Sequence, residues 1–310
     1  MMNVLSLFSG CGGLDHGFYE HSAFTICYAI DSMPHAVDIY NKNFSPESPH
    51  AVCMDVLRLL DDDLELGFVP DVIIGGPPCQ DFSSAGRQVL GARAALTPAF
   101  CAIVVRHRPQ FFVMENVPAI RTTGREILAR IESQFRTAGY GLTSRVVKMS
   151  DYGIPQSRKR FFMIGELGGE DDTFQGALDA AKQPVRSIRE YMVRNPGLDM
   201  GLGGKNFVYR HPRSYARRGV FSIDELHPTV RGCLRRMPPP YSFHAGDKCK
   251  DREAIANPTV LTVARMQTFP PGFVWGDSHK KNTVVVIGNA VPPAFSAVLA
   301  RIIASRTHHL

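Results

Sequence analysis

Apolar positions in the first half of the chain fall into short runs separated by stretches of helical spacing. Val4–Phe8, Thr25–Ile30, Asp71–Ile74, Phe111–Glu115, Ser144–Lys148 and Phe161–Gly165 are β-branched or aromatic runs of strand length. Between them, Leu14–Tyr19, Met33–Phe44, Thr97–His107 and Gly124–Ala138 carry apolar residues at helical intervals. Strands alternating with helices predict an α/β fold, a mostly parallel sheet covered on both faces. In such sheets ligands gather at the carboxyl ends of the strands.

Past Gly165 the texture changes. Gly168–Asp172 reads as a polar, turn-rich linker, and the stretch after it is rich in Gly, Pro and Arg with little periodicity, as in Gly201-Leu-Gly-Gly and Pro238-Pro-Pro-Tyr. Order returns with a strand-like Thr283–Ile287, then Gly288-Asn-Ala-Val-Pro-Pro, then an apolar helix over Ala294–Ala304 with Pro292 and Pro293 at its start. The pattern predicts two domains. Residues 1–167 plus 283–310 form the sheet domain, to which the chain returns, and 168–282 form a smaller, irregular one.

Composition narrows the picture. At roughly 100–200 residues per domain, 310 residues accommodate both, and 44% hydrophobic against 21% charged is enough apolar material for a packed core. The longest apolar stretches fall short of the ~20 residues of a membrane helix, and the N-terminus opens into a strand rather than a signal peptide. No membrane association and a cytoplasmic location are therefore expected. The seven cysteines form no CxxC pair, which argues against both a disulfide framework and a zinc site, so no metal is expected. The net charge of +6 concentrates in one place: Arg210, Arg213, Arg217, Arg218, Arg231, Arg235 and Arg236 face only Asp224 and Glu225. Charge alone leaves open a solvated basic face or a docking surface for a polyanion.

Chemistry concentrates at the predicted strand ends. Phe8-Ser-Gly10-Cys-Gly12-Gly13 follows the first strand and opens a helix, where glycines permit a tight turn and close approach of a ligand. Asp31 ends the second strand, placed to accept from a ribose diol, and Asp55 follows the next stretch, placed for an adenine amino group. These features point to an adenosine-bearing ligand without separating a nicotinamide dinucleotide from S-adenosylmethionine. The following strand exits into Gly75-Gly-Pro77-Pro78-Cys79-Gln80, where two prolines stiffen the backbone ahead of a thiol. Phe111-Phe-Val-Met-Glu115-Asn116-Val117 then ends a strand with a carboxyl behind apolar residues, where desolvation should raise its pKa.

In this order, with Gln156-x-Arg158-x-Arg160 and Gly288-Asn-Ala-Val-Pro-Pro, the motifs span nearly the whole chain, which resembles the DNA cytosine-5 methyltransferase family of the bacterial modification type. The resemblance implies a Rossmann-like S-adenosylmethionine-dependent methyltransferase domain with a mostly parallel sheet, plus a target-recognition domain in the irregular region. It implies S-adenosylmethionine as cofactor, lined by Phe8, Gly10, Gly12, Asp31, Asp55, Val56, Pro78, Leu96 and Asn289. Catalytic roles fall to Cys79 as nucleophile at carbon 6 of a flipped-out cytosine and to Glu115 as proton donor at ring nitrogen 3. Arg158 and Arg160 match family residues near the pocket, one of them contacting the cytosine carbonyl oxygen.

Gln80–Leu96 resembles the mobile loop that closes over the flipped base, which places Gln80, Ser83 and Arg87 against DNA together with the arginines named above. Double-stranded DNA, a cognate restriction endonuclease acting on the same site and a monomeric state complete the implied partners. A tRNA cytosine-5 methyltransferase on the same fold is the alternative. A nicotinamide-dependent oxidoreductase would leave the Cys79 and Glu115 motifs without a role.

Two departures from the family pattern stand out. An acid expected in the mobile loop is absent from Gly91-Ala-Arg93-Ala-Ala-Leu96, and Leu261-Thr262 replaces the Arg-Glu pair that normally organises the recognition domain. Packing there is expected to differ.

Overall fold

The strands and helices predicted for the first half all form. In chain order they are β1 (Met2–Leu7), α1 (Asp15–Tyr19), β2 (Phe24–Asp31), α2 (Pro34–Asn43), β3 (Ala51–Cys53), β4 (Val72–Gly75), α3 (Leu96–His107), β5 (Phe111–Asn116), α4 (Arg125–Thr137), β6 (Tyr140–Lys148) and β7 (Lys159–Leu167). The short β3 is additional to the strands predicted. The structure is a computed structural model and describes residues 1–44, 51–61, 64–78, 96–214, 216–276 and 280–307.

These strands make one seven-stranded sheet in the order β3-β2-β1-β4-β5-β7-β6. Pairs from β3 through β5 are parallel, whereas β7 runs antiparallel to both β5 and β6. From β1 the chain moves outward to β2, and from β4 it moves the opposite way to β5. Their carboxyl ends therefore flank the point where strand order reverses, which leaves a crevice.

Alternation along the strands sends side chains to two separate cores. Val4, Ile74, Phe111 and Val113 join Leu14, Phe18, Tyr40, Phe295 and Leu299 on one face. Leu5, Ile73, Phe112 and Met114 join Phe100, Val104, Ile131 and Phe135 on the other. Both faces are thus covered, which is why these strands read as continuous apolar runs.

The remaining elements are α5 (Gln175–Ala180), α6 (Ile188–Arg194), β8 (Phe207–Tyr209), β9 (Val220–Ser222), β10 (Ile255–Ala256), α7 (Val260–Met266), α8 (Lys280–Asn289) and α9 (Pro293–Thr307). Strands β10-β8-β9 form a small second sheet. Its core joins Val208, Phe221 and Val263 to Cys11, Ala36, Ile39 and Ile287, so the irregular region packs directly onto the glycine turn and α2. Where regular structure is sparse, one carboxylate substitutes for it. Asp247 accepts from Gly219 N and Val220 N at 2.8 Å, His244 N at 2.8 Å and the Tyr241 hydroxyl at 2.9 Å.

One expectation is corrected. Thr283–Ile287 is helical, part of α8, not a strand. Its β-branched residues are buried at Thr283, Val284, Val286 and Ile287, and that packing overrides their strand preference. Counted through to Arg306, the stretch from Lys280 is long and apolar enough to cross a membrane by length and composition, although 72% of an apolar 18-residue part of it is buried inside the fold, as a core helix is. The predicted terminal helix forms as α9 with Pro293 at its first position. Arg306 in its last turn reaches both carboxylate oxygens of Glu166 on β7 at 3.0 Å.

The Leu261-Thr262 departure also finds a physical reason. Thr259 and Thr262 form a reciprocal capping box at the start of α7, and the buried Thr262 hydroxyl donates to the Gly201 carbonyl at 3.0 Å.

Candidate active site

Leaving β1, the chain adopts left-handed backbone at Phe8 (φ 54°), Gly10 (φ 56°) and Gly12 (φ 84°). Phe8 in that region is strained for a residue with a Cβ, a condition that concentrates at ligand-binding turns. At Gly12 a Cβ would lie 2.3 Å from the Phe44 ring, so only glycine fits. Asp31 at the end of β2 fastens the turn. Its two oxygens accept from Gly10 N and Met33 N, each at 2.8 Å. Burial raises the Asp31 carboxyl above its ordinary value, opposed by those two N–H donors.

A cavity of about 380 Å³ opens where this turn meets the ends of β4 and β5. Of the residues expected to hold a cofactor, Phe8, Gly10, Asp31, Pro78 and Asn289 line it, joined by Glu115 and Arg160. Gly12, Asp55, Val56 and Leu96 do not. Asp55 instead caps the turn Val56–Leu60 by accepting from Leu57 N at 3.0 Å, and Val56 is buried in the sheet's second core. Cys79, Gln80, Ser83, Arg87 and the Gly91–Arg93 departure lie outside the described residues. The last described residue before them, Pro78, is in the cavity wall.

Several lining residues were missed from sequence. Ser6 and Ser9 each present a buried hydroxyl, and the fully buried Asp15 a carboxylate oxygen, with no hydrogen-bond partner among the described residues. The Tyr40 hydroxyl donates to the other Asp15 oxygen at 3.0 Å, and burial lifts Asp15 to about 6. Nothing in a one-residue reading marks these positions. Their place on the cavity follows from the β1-to-α1 turn.

Glu115 sits near the carboxyl end of β5, buried behind the apolar residues that precede it. Burial raises its carboxyl above the ordinary value, as expected from sequence, while Arg160 and then Arg158 pull it back. The Arg160 Nε lies 2.9 Å from Glu115 Oε1. A Cβ at Gly76 would come within 3.0 Å of Glu115 Oε2, so the carboxyl rests against the backbone that leads into Pro77-Pro78. Asn116, next in the chain, donates from Nδ2 to the Pro77 carbonyl at 3.2 Å. The strand end thus holds both an acid and a clamp on the proline step.

Arg158 does not line the cavity. Its guanidinium is fully buried and donates to the carbonyls of Val230, Gly288, Asn289 and Ala290 at 3.0–3.3 Å. These include the last carbonyls of α8, which have no partners within the helix and face the negative end of its dipole. Gln156 extends the arrangement, accepting from Val230 N at 2.8 Å and donating to Gln267, which in turn donates to the Ile287 and Ala290 carbonyls. The motif therefore divides its labour. Arg160 faces the acid, while Gln156 and Arg158 bind α8 and the segment carrying Thr229–Arg231 to the end of β7.

The arginine-rich segment is similarly heterogeneous. Arg218 makes a bidentate pair with Glu225 at 3.0 and 2.6 Å and stacks over Phe221. Arg210 is half-buried and donates to the Thr229 carbonyl at 3.1 Å. Burial, with Arg231 and Arg213 nearby, lowers its guanidinium to about 10. Arg213, Arg217, Arg235 and Arg236 are exposed. Among the described residues, no group of three or more His, Cys, Asp or Glu could hold a metal ion.

Comparison with known proteins adds to this geometry. A family model described as C-5 cytosine-specific DNA methylase matches residues 2–305. The Type II methyltransferase M.HindV of Haemophilus influenzae is 41% identical over 297 residues, covering 94% of this chain and 92% of its own. M.HgiDI of Herpetosiphon aurantiacus, also a Type II methyltransferase, is 37% identical, with 96% and 93% covered. Among solved structures, the S. pombe Dnmt2 methyltransferase superposes with a TM-score of 0.70 over 99% of both chains at 19% identity, a likeness of fold.

Proposed function

The chain belongs to the C-5 cytosine-specific DNA methylase family, and from that membership we propose that it methylates carbon 5 of a flipped-out cytosine in a specific duplex DNA sequence. The donor is S-adenosylmethionine, and the protein acts as the modification partner of a restriction endonuclease that cuts the same site. The observation that carries the reading is the meeting of the glycine turn, Asp31, Pro78 and the Glu115–Arg160 pair on one cavity wall.

That cavity suits the donor. Its volume of about 380 Å³ lies in the range of small-molecule sites. The strained turn at Phe8 and Gly10 exposes backbone to a ligand, and Asp31 stands at the strand end with acceptor capacity beyond its two N–H bonds. Unpartnered polar atoms on Ser6, Ser9 and Asp15 supply further groups for a polar, charged molecule. Phe8, Gly10, Asp31, Pro78 and Asn289 would hold it. When bound, S-adenosylmethionine supplies a methyl group activated by its sulfonium charge.

Cytosine carbon 5 is too weak a nucleophile to take that methyl unaided. In the proposed reaction the Cys79 thiolate adds to carbon 6, and the ring electrons move to make carbon 5 an enamine nucleophile. Glu115, whose carboxyl burial raises, donates a proton to ring nitrogen 3 and absorbs the charge that develops there. Arg160 limits how far that proton is held and orients the carboxyl. Arg158 acts as a positioning residue through Gly288 and Asn289. After methylation a base removes the carbon-5 proton, the carbon–sulfur bond breaks and the aromatic ring returns. Asn116 clamps the Pro77 carbonyl of the proline step that precedes Cys79 in the chain.

Reaching carbon 6 requires the base to leave the stack, at about a few kcal/mol. Residues 168–282, with the exposed arginines, are the proposed recognition domain, and residues 1–167 plus 283–310 the catalytic one. Gln80, Ser83 and Arg87 belong to the loop proposed to close over the base. Kinship with Type II methyltransferases supports the pairing with an endonuclease, and the enzyme is proposed to act as a monomer in the cytoplasm. The test is transfer of labelled methyl groups to duplex DNA and, in parallel, to tRNA. Label at carbon 5 of cytosine in DNA that disappears in Cys79→Ser supports the proposal, and label in tRNA alone overturns it.

A further inference from the structure

The irregular region holds a second pocket, of about 20 Å³, lined in part by Arg210, His211, His227, Arg231 and Arg235 and, among the described residues, by no carboxylate. Three guanidinium groups are tethered toward it. Arg210 donates to the Thr229 carbonyl at 3.1 Å, Arg231 to the His211 carbonyl, and Arg235 Nη1 lies 3.3 Å from His211 Nε2. Each tether uses one corner of a fork that carries five donors. At the base of the pocket, His227 is buried with Nδ1 lacking a hydrogen-bond partner among the described residues.

The nearby acids are committed elsewhere. Glu225 holds Arg218 in a bidentate pair, Asp224 holds Arg189 at 2.5 Å, and Asp247 is surrounded by the three backbone N–H groups and the tyrosine hydroxyl described above. The cations therefore feel one another without a counter-charge. Burial followed by Arg235, Arg231 and Arg210 presses His211 below its ordinary value, and burial with Arg210 lowers His227 to about 4. Positive charge collected in a concave, partly desolvated place with no resident anion is arranged for an anion from outside.

Size selects which part of that anion enters. About 20 Å³ admits one water-sized group, so an oxygen fits and a nucleobase does not. We propose that the pocket seats a non-bridging oxygen of a single DNA backbone phosphate, gripped by Arg231 and Arg235 above the Arg210–His227 floor. The proposal rests on the duplex DNA reading given above. It gives the arginines different roles, since Arg231 and Arg235 register the protein on the backbone while Arg218 is an internal strut.

The test measures binding of the full-length protein to a duplex containing its methylation site, over a salt series, for wild type, Arg235→Gln and Arg235→Lys. Arg235→Gln is expected to flatten the log–log salt slope by about 0.9, one phosphate's worth. It should weaken cognate and unrelated duplexes by the same factor, and Arg235→Lys should restore most of the slope. A scan with single neutral methylphosphonates adds a test on the unmodified protein. One position should weaken wild type clearly more than it weakens Arg235→Gln. Alkylation of Cys233, an exposed residue in the same lining, should slow when duplex is added.

An unchanged slope, no such phosphate position, unprotected Cys233, or a loss that depends on the identity of one base pair would each overturn the seat. In those cases methylation of duplex DNA by wild type would still stand. Absence of any methyl transfer to DNA would instead remove the reading on which the seat depends.

Discussion

At the scale of single residues, two buried carboxyls behave differently although both are raised by burial. Glu115 has Arg160 at 2.9 Å, which offsets part of the rise that burial causes. Glu115→Gln is expected to slow methyl transfer by about 10²–10⁴-fold while donor and DNA affinities stay near wild type, as single-turnover and binding measurements would show. Wild-type turnover should fall as pH rises through the raised Glu115 value, because the proton donor is then lost.

Asp15 has no cation beside it and sits at about 6 against an ordinary 3.8. Between those values the native state binds the proton more tightly than the unfolded chain, so this group's contribution to stability falls as pH rises. Asp15→Asn, which keeps an acceptor for Tyr40, should therefore raise the melting temperature more at pH 8 than at pH 4.5. Glu115 was legible in the sequence because a carboxyl behind four strand-forming apolar residues has few places to go. Asp15 was not, because its burial depends on Tyr40 approaching from α2.

Elements carry the next level of the account. The Gln156-x-Arg158-x-Arg160 spacing was readable, but its division was not. Arg160, within β7, reaches Glu115, while Arg158, just ahead of the strand, caps the end of α8. Local pattern predicts a strand over Thr283–Ile287, and a helix in that place is what creates the carbonyls Arg158 satisfies. Arg158→Met leaves those carbonyls without a donor and should destabilise the protein by about 3 kcal/mol or more, read by chemical denaturation. Donor affinity should weaken with it, since Asn289 lines the cavity. Asp247→Ala removes the acceptor from three backbone N–H groups and a tyrosine hydroxyl, and a loss of similar size is expected. Where secondary structure is sparse, local pattern has no period to read, which is why the elements of the irregular region could not be drawn from sequence.

For the whole molecule, the sheet and its covered faces followed from alternating apolar runs, and the crevice they leave is where the chemistry gathers. The arrangement joins that crevice to the arginine-rich segment through Gln156, Arg158 and Thr229–Arg231, so the proposed docking face and the proposed active site share a support. DNA affinity should accordingly fall with salt, by about 0.9 in log–log slope for each phosphate neutralised. Filter binding across salt concentrations checks this, and a flat response would contradict a basic docking face. The most direct measurement replaces the target cytosine of a mapped site with 5-fluorocytosine, whose fluorine cannot leave as the proton does. With S-adenosylmethionine present, the account predicts a covalent protein–DNA adduct that peptide mass spectrometry assigns to Cys79. Unaltered protein and DNA, or an adduct on another residue, would contradict it.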